Sequence, residues 1–289
     1  MALGQKEIKV VSSKAESSPH NSLELSIGSI ATLISSRSQE FMVQTKERYA
    51  NFIADGIDPS IKIEVEILPP QNLKTNPTPT VENPDVRFDN SKGRWTIIWQ
   101  GLSGEFDLKS GEGRMGCGLS PVVLNSFLRF IYSLILLREP GFLVHASSLI
   151  KNGKGYIFPG KSGAGKTTIT QLSPDSTLLS DDISLIKMLN GTPVAFGTPF
   201  WGALAVGGEN TSTPITEIYF PIKGKTNYMK RLNPRQALEK LLPNVVFFAR
   251  EEEFSKQLFN LCSDFVTMVP AYELHFLPKP TFWRCIDAK

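Results

Sequence analysis

A mixed α/β fold is predicted for this 289-residue chain, with a smaller β-rich module ahead of a strand–loop–helix core. Three observations carry that prediction. Between Leu23 and Asp107, short runs alternate apolar and polar residues, the period of a half-buried strand. Near Pro121 the pattern changes to one long apolar run. From Gly155 to Thr168, a short apolar strand leads through glycines into a helix start. There Gly160, Gly165, Lys166 and Thr167 fill the pattern G-x-x-x-x-G-K-[ST].

The elements follow in order. Residues 1–22 are polar and serine-rich and read as a flexible tail, most clearly from Val10 to Asn21. Residues 23–120 form the β-rich module. In it, Leu23–Ile27 alternates as a strand, Glu40–Ile53 reads as a helix stopped by Asp55-Gly56, and Ile61–Ile67 alternates strictly. Pro69–Pro84 reads as a surface loop. Strands return at Val86–Phe88, Arg94–Trp99 and Gly104–Asp107, and the glycines at 101, 104, 111, 113, 116 and 118 read as hairpin turns.

The core spans 121–289. Pro121 suits a helix start, so Val122–Leu137 reads as a helix ended by Glu139-Pro140-Gly141. Phe142–Ile150 reads as a buried strand and Lys151-Asn152-Gly153 as a tight turn. Tyr156–Phe158 is the strand before the glycine loop, and Thr167–Leu172 starts the helix after it. Ser176–Asp182 and Ile183–Met188 read as strands, with a turn at Asn190-Gly191. Beyond them, strands such as Ile215–Phe220 accompany one clear helix, from the cap pair Asn233-Pro234 to Leu242.

Bulk composition excludes several classes. A formal charge of +3 demands neither nucleic acid nor an anionic membrane, so neither partner is expected. Lys223–Arg235 is the most basic stretch and reads as a solvated face. Cys117, Cys262 and Cys285 are isolated, which argues for reduced thiols and a cytoplasmic location. No apolar signal segment is visible. The strongest apolar run, Phe127–Leu137, is interrupted by Arg129 and too short to span a bilayer, so it reads as a buried helix.

The motif has a physical meaning. Glycines let successive backbone N–H groups turn inward and cradle phosphate oxygens. The loop Gly160, Lys161, Ser162, Gly163, Ala164, Gly165, Lys166, Thr167 and Thr168 is therefore the expected phosphate site. Lys166 would set its charge against the β- and γ-phosphates, and Thr167 would offer its hydroxyl to Mg²⁺. Asp181 and Asp182 follow at short range. One of the pair could hold Mg²⁺ with Thr167 while the other accepts a proton from an attacking hydroxyl. A capping role at a turn is the plainer alternative. His145 precedes the loop strand, and it reads either as a core histidine or as a group that reaches the phosphate region.

Taken together, Val144-His-Ala-Ser147, Phe158–Thr167 and Leu179-Ser-Asp-Asp182 resemble the HPr serine kinase/phosphorylase group. They are closer to its shorter HPr kinase-related bacterial members, some of which act on peptides in natural-product clusters. Phosphoenolpyruvate carboxykinase shares that nucleotide-binding core. Supporting matches include Glu47–Phe52, Phe127-Leu-Arg129, Gly197–Gly202, Arg231–Ala237 and Val269–Leu274. The resemblance implies an HPr kinase/phosphoenolpyruvate carboxykinase-like P-loop core, with ATP and Mg²⁺ as cofactors. It implies a catalytic group of His145, Lys166, Asp181 and Asp182, with Asp181 as general base and Thr167 and Asp182 at the metal. A homo-oligomer is a further expectation.

The E-[IL]-R-G-[IL]-G signature of true HPr kinases is absent, with Glu209 as a weak substitute. That puts HPr itself, and the reverse phosphorylase reaction, in doubt. The expected activity is a kinase acting on a serine hydroxyl of a protein or peptide. Alternatives are an ATP-binding sensor or scaffold with little turnover and a small-molecule kinase. A GTPase is disfavoured because no N-K-x-D motif occurs.

Overall fold

Two β-sheets enclose one apolar helix in the computed structural model, which describes residues 21–73, 85–89, 93–99, 101–202 and 206–288. The expected tail lies outside the described residues up to residue 20, and most of the expected 69–84 loop does as well. The first sheet opens with β1 (Asn21–Ile27) and β2 (Ile30–Ser36), joined at Gly28-Ser29, both with positive φ. Two such residues suit the twist of a two-residue hairpin. The sequence pattern passes over β2 because its buried face includes Thr32 and Ser36. Their hydroxyls are satisfied by the Tyr132 hydroxyl and the Val65 carbonyl.

Ser38 caps α1 (Gln39–Arg48) by accepting from the Phe41 amide. The helix ends at Arg48, short of the expected Ile53, and a 3₁₀ turn over Ala50–Phe52 tightens its exit. Then come β3 (Ile61–Ile67), β4 (Asp85–Asp89), β5 (Arg94–Trp99), β6 (Leu102–Asp107) and β7 (Glu112–Cys117). The sheet order is β1-β2-β3-β7-β6-β5-β4.

Not all the glycines there are turns. Gly101 and Gly111 are, with positive φ, but Gly104, Gly113 and Gly116 lie inside strands. The reason is steric. A Cβ on Gly104 would stand 2.5 Å from the Phe127 ring, and one on Gly113 would stand 3.1 Å from the Phe106 ring. Gly104 makes room for a phenylalanine of the next helix, and Gly113 for one of the neighbouring strand.

That helix, α2 (Val122–Ile135), is buried on nearly every side by Leu124, Phe127, Leu128, Phe130, Ile131 and Leu134. A helix apolar all round belongs in a core. It ends two residues before the expected Leu137, in a turn carrying Leu136 to Arg138. Each such buried side chain contributes about 1.5–3 kcal/mol, so α2 ties the two sheets together.

The second sheet begins with β8 (Gly141–Lys151) and β9 (Lys154–Pro159), turning at Asn152-Gly153 as expected. After them come α3 (Lys166–Gln171), β10 (Thr177–Ser180), β11 (Ile183–Leu189), β12 (Thr192–Phe196), β13 (Ser212–Lys223) and β14 (Tyr228–Leu232). The chain continues through α4 (Pro234–Leu241), β15 (Val245–Val246), α5 (Glu252–Met268), β16 (Ala271–Phe276) and α6 (Phe282–Asp287). Strand order is β10-β8-β11-β12-β13-β16-β14, with β9 bridging β8 and β13, and β15 on β8. The sheet is mixed: β13 runs parallel to β9 and β16, and the other pairings are antiparallel.

Helix α4 has the full capping box between Asn233 and Gln236. Along with α6, helix α5 is a correction, because only one helix was expected in this stretch. The α5 apolar residues Phe254, Leu258, Cys262 and Phe265 recur at helical spacing and could have been read. Three cores result. One joins the first sheet, α2, and Leu143, Ile183 and Leu185 of the second sheet. The others lie under α4 and α5 and under α3 and α6. No helix among the described residues is long and apolar enough to cross a membrane.

Two outcomes follow from this packing. Gly104→Ala should destabilise the fold by about 1–3 kcal/mol in urea denaturation. Adding Phe127→Leu should return part of that loss if the ring is the obstacle. Burial also pushes the Cys117 thiol up to about 11 and the Cys262 thiol up to about 12. In the folded protein, iodoacetamide should therefore label the partly exposed Cys285 first. Cys117 and Cys262 should label only after unfolding, as peptide mass spectrometry would show.

Candidate functional site

One strand, β8, organises the region around the glycine loop. On one side it pairs with β9, and where β9 ends the Gly160 amide donates to the His145 carbonyl at 3.0 Å. On the other side run β10 and then β11, both antiparallel to β8. The ladder shifts register within β10, between Leu178 and Ser180, and Asp181-Asp182 joins β10 to β11 just beyond it. The Asp182 carbonyl accepts from the Ala146 amide at 2.9 Å. Glycine loop and carboxylate pair are thus fastened to consecutive residues, His145 and Ala146.

The loop takes a shape that needs its glycines. Gly163 and Gly165 have φ of 82° and 111°, values that favour glycine. A Cβ on Gly165 would also stand 2.8 Å from the Phe276 ring. Lys161, Ser162 and Gly163 form the exposed crest, while Ala164 is half-buried. Gly165 caps α3, so Lys166, Thr167 and Thr168 make its first turn.

Lys166 is buried, and its Nζ donates to the Gly160 carbonyl at 2.7 Å and the Lys161 carbonyl at 3.4 Å. An ammonium carries three N–H groups, so one remains beyond this tether. Burial lowers the Lys166 pKa, against the opposing pull of Asp182 and Asp181.

The two carboxylates differ. Asp181 is 3% exposed, and its Oδ1 accepts from the Gly202 amide at 3.0 Å. The Asp182 side chain is 25% exposed, with Oδ1 3.8 Å from His145 Nδ1 and Oδ2 3.5 Å from an Arg129 terminal nitrogen. Burial pushes the Asp182 carboxyl up. His145, Arg129 and Lys166 outweigh that and hold it below the ordinary carboxylate value. His145 is not a core histidine: its side chain is nearly half exposed and faces Asp182.

The strand–loop–helix therefore brings together His145, Lys166, Asp181 and Asp182, with Thr167 beside them in the chain. His275 lies elsewhere, stacked on Tyr228 and 3.7 Å from Glu273. Glu209 is exposed, and its backbone, not its carboxylate, binds the β10 edge through the Leu178 carbonyl.

Sequence reasoning gave no role of their own to three further residues at the site. Arg129 reaches Asp182 from α2, and Arg48 at the end of α1 lies 4.3 Å over the Trp201 ring. Trp201 belongs to the loop whose Gly202 amide binds Asp181. The available signal was a lone arginine in an apolar helix. Three supporting sequence patterns, around Glu47–Phe52, Phe127–Arg129 and Gly197–Gly202, meet at this point. Asn51 adds a contact at 3.4 Å to the Gly208 carbonyl.

Comparison with curated proteins finds no match. Among solved structures, the Hpr(Ser) kinase/phosphatase of Coxiella burnetii overlaps 50% of this chain and 90% of its own, at 12% identity and a TM-score of 0.29. That overlap is too loose to assign an activity. The model of one family, described as SynChlorMet cassette protein ScmC, matches residues 118–288. The match starts where the first sheet ends and takes in α2, the glycine loop and the carboxylate pair. Spanning more than half of the chain, it shows that this protein belongs to the SynChlorMet cassette protein ScmC family.

Proposed function

We propose that the chain is an ATP- and Mg²⁺-dependent kinase built on an HPr kinase-like P-loop core. Its acceptor would be a hydroxyl, foremost a serine of a protein or peptide. One observation carries this reading: a glycine loop with its lysine, a carboxylate pair and a histidine meet at adjacent residues of β8.

The residues present fit both cofactors. The loop that follows Gly160, up to Thr168, would offer backbone amides and the Lys166 ammonium to phosphate oxygens. Among the described residues no three acidic, histidine or cysteine side chains form a closed metal cage. Mg²⁺ needs none, because it binds through one or two protein oxygens plus phosphates and water. Thr167 and one carboxylate of the pair would supply those oxygens. When bound, Mg²⁺-ATP supplies the phosphoryl group and a cation that draws charge from it.

The chain's own residues would then do three things. Lys166, tethered across the loop, holds a fixed positive charge at the phosphates. Asp182, the more accessible carboxylate, faces the reacting end. It takes the acceptor hydroxyl's proton as the oxygen–phosphorus bond forms and ADP departs. Asp181, enclosed and bonded to Gly202, holds the 201–202 loop in place. This exchanges the order that the family resemblance implies for the two carboxylates, on grounds of accessibility. A depressed pKa does not disqualify Asp182, since phosphoryl transfer leans on positioning more than on a strong base. The β-rich module, residues 23–120, would present the acceptor.

Transfer is tested with γ-labelled ATP, Mg²⁺ and serine-containing proteins and peptides. Asp182→Asn should still bind ATP by calorimetry but lose about 10²–10⁴-fold in transfer. Lys166→Ala should weaken ATP binding itself. Equal label from wild type, Asp181→Asn and Asp182→Asn would sink the assignment. The missing E-[IL]-R-G-[IL]-G signature favours a second reading, a nucleotide-binding sensor. Tight ATP binding with no transfer to peptide, protein or free serine would establish it.

Asp182 also sets a pH dependence. Its folded pKa lies below the unfolded value, so its stabilising contribution is present above the unfolded value, about 3.9, and is lost as pH falls through the folded one. Asp182→Asn should be less stable than wild type at neutral pH, because it leaves Arg129 without its counter-charge. That difference should shrink in urea melts below about pH 4.

A further inference from the structure

We propose that Arg48, Arg129 and the Trp201 indole form an oxyanion site that grips a carboxylate or phosphate group of the acceptor beside Asp182. The acceptor's role rests on the kinase reading above, whereas the anion site rests on geometry alone.

Three segments distant in sequence build it: the end of α1, the middle of α2 and the loop after β12. The Arg48 guanidinium lies 4.3 Å over the Trp201 ring. A terminal nitrogen of Arg129 lies 3.5 Å from the Trp201 carbonyl and 3.5 Å from Asp182 Oδ2. The Nε atoms of Arg48 and Arg129 and the Nε1 of Trp201 are all buried, with no hydrogen-bond partner among the described residues. Each is a donor and none can accept. Buried donors are ordinarily satisfied, and three unpartnered ones on residues that meet at Trp201 call for a group rich in lone pairs.

Charge points the same way. The two arginines repel each other, and Asp182 and Asp181 are the carboxylates that bear on Arg129. Among the described residues no carboxylate bears on Arg48; its neighbour is the Tyr49 phenol, which accepts a hydrogen bond from it. That phenol is no counter-ion: burial drives its pKa far up, and it donates to Asn125 Oδ1 at 3.0 Å. Arg48, Arg129 and Lys166 thus outnumber Asp181 and Asp182 at the site. Guanidinium groups suit planar or tetrahedral oxyanions because their N–H groups can bind two oxygens at once. An anionic group held here lies next to Asp182, which places a hydroxyl on the same molecule at the reacting end. The substrate class that follows is a hydroxyl compound with a neighbouring carboxylate or phosphate, such as a serine within an acidic peptide.

The test uses the full chain labelled with ¹⁵N and follows its arginine Nε–H and tryptophan indole signals. Trp201→Phe identifies the Trp201 indole among the four tryptophans. Inorganic phosphate and glutarate are titrated separately. The Trp201 indole and two arginine signals should shift and saturate with at least one probe, and the stronger probe names the anion. Saturation should be lost in Arg48→Gln with Arg129→Gln and kept in Lys166→Ala. A Trp201 signal that neither probe moves in wild type would overturn the proposal, whatever the variants do. So would a shift that survives loss of both arginines or vanishes with Lys166→Ala. A saturable shift without any phosphoryl transfer would leave the anion site standing and remove the kinase reading.

Discussion

Two backbone hydrogen bonds from β8 hold the site together. The His145 carbonyl receives the Gly160 amide, and the Ala146 amide donates to the Asp182 carbonyl. A sheet strand is a rigid mount, and functional groups placed on rigid elements keep their geometry. Because both bonds are to the main chain, no side-chain rotamer can loosen them. Shifting β8 by one residue would turn His145 inward and separate the loop from the carboxylates. The buried residues of β8, from Phe142 to Leu149, oppose that slip because they enter all three cores.

The second sheet does not complete the site by itself. Arg129 is carried by α2, the helix that fills the space between the sheets, and its charge is taken out of water as a consequence. Burying a charge is expensive unless a partner compensates. Asp182 is that partner, although at 3.5 Å the contact is long. Arg48 arrives from α1, and Asn51 in the turn after that helix touches the loop at Gly208. The fit of the two sheets therefore decides the electrostatics next to Asp182. A further pair, buried Lys187 with the partly exposed Glu139, lies at the same junction, and Lys187 also donates to the Gly28 carbonyl of the first hairpin.

Local pattern was enough for much of the chain. Ile61–Ile67 and Asn233-Pro234 were legible because strict alternation and a capping pair are signals within a few residues. Asn152-Gly153 and Asn190-Gly191 were legible for the same reason, each adopting the positive φ that its turn demands. Legibility failed where burial was polar or steric. Strand β2 hides Thr32 and Ser36 in the core, which blurs its alternation. Gly104 and Gly113 imitate turns, when they lie inside strands and make room for the Phe127 and Phe106 rings.

The sequence by itself determined the glycine loop, the carboxylate pair and the histidine as candidates, because each is written in contiguous residues with its own chemistry. It left open whether His145 was core or site, and which carboxylate was accessible. Tertiary structure decided both by setting His145 opposite Asp182 and enclosing Asp181 against Gly202. It alone brought Arg48, Arg129 and Trp201 together. No local pattern could show this, because the three are 72 or more residues apart, from Arg129 to Trp201, and meet only when the sheets close on α2.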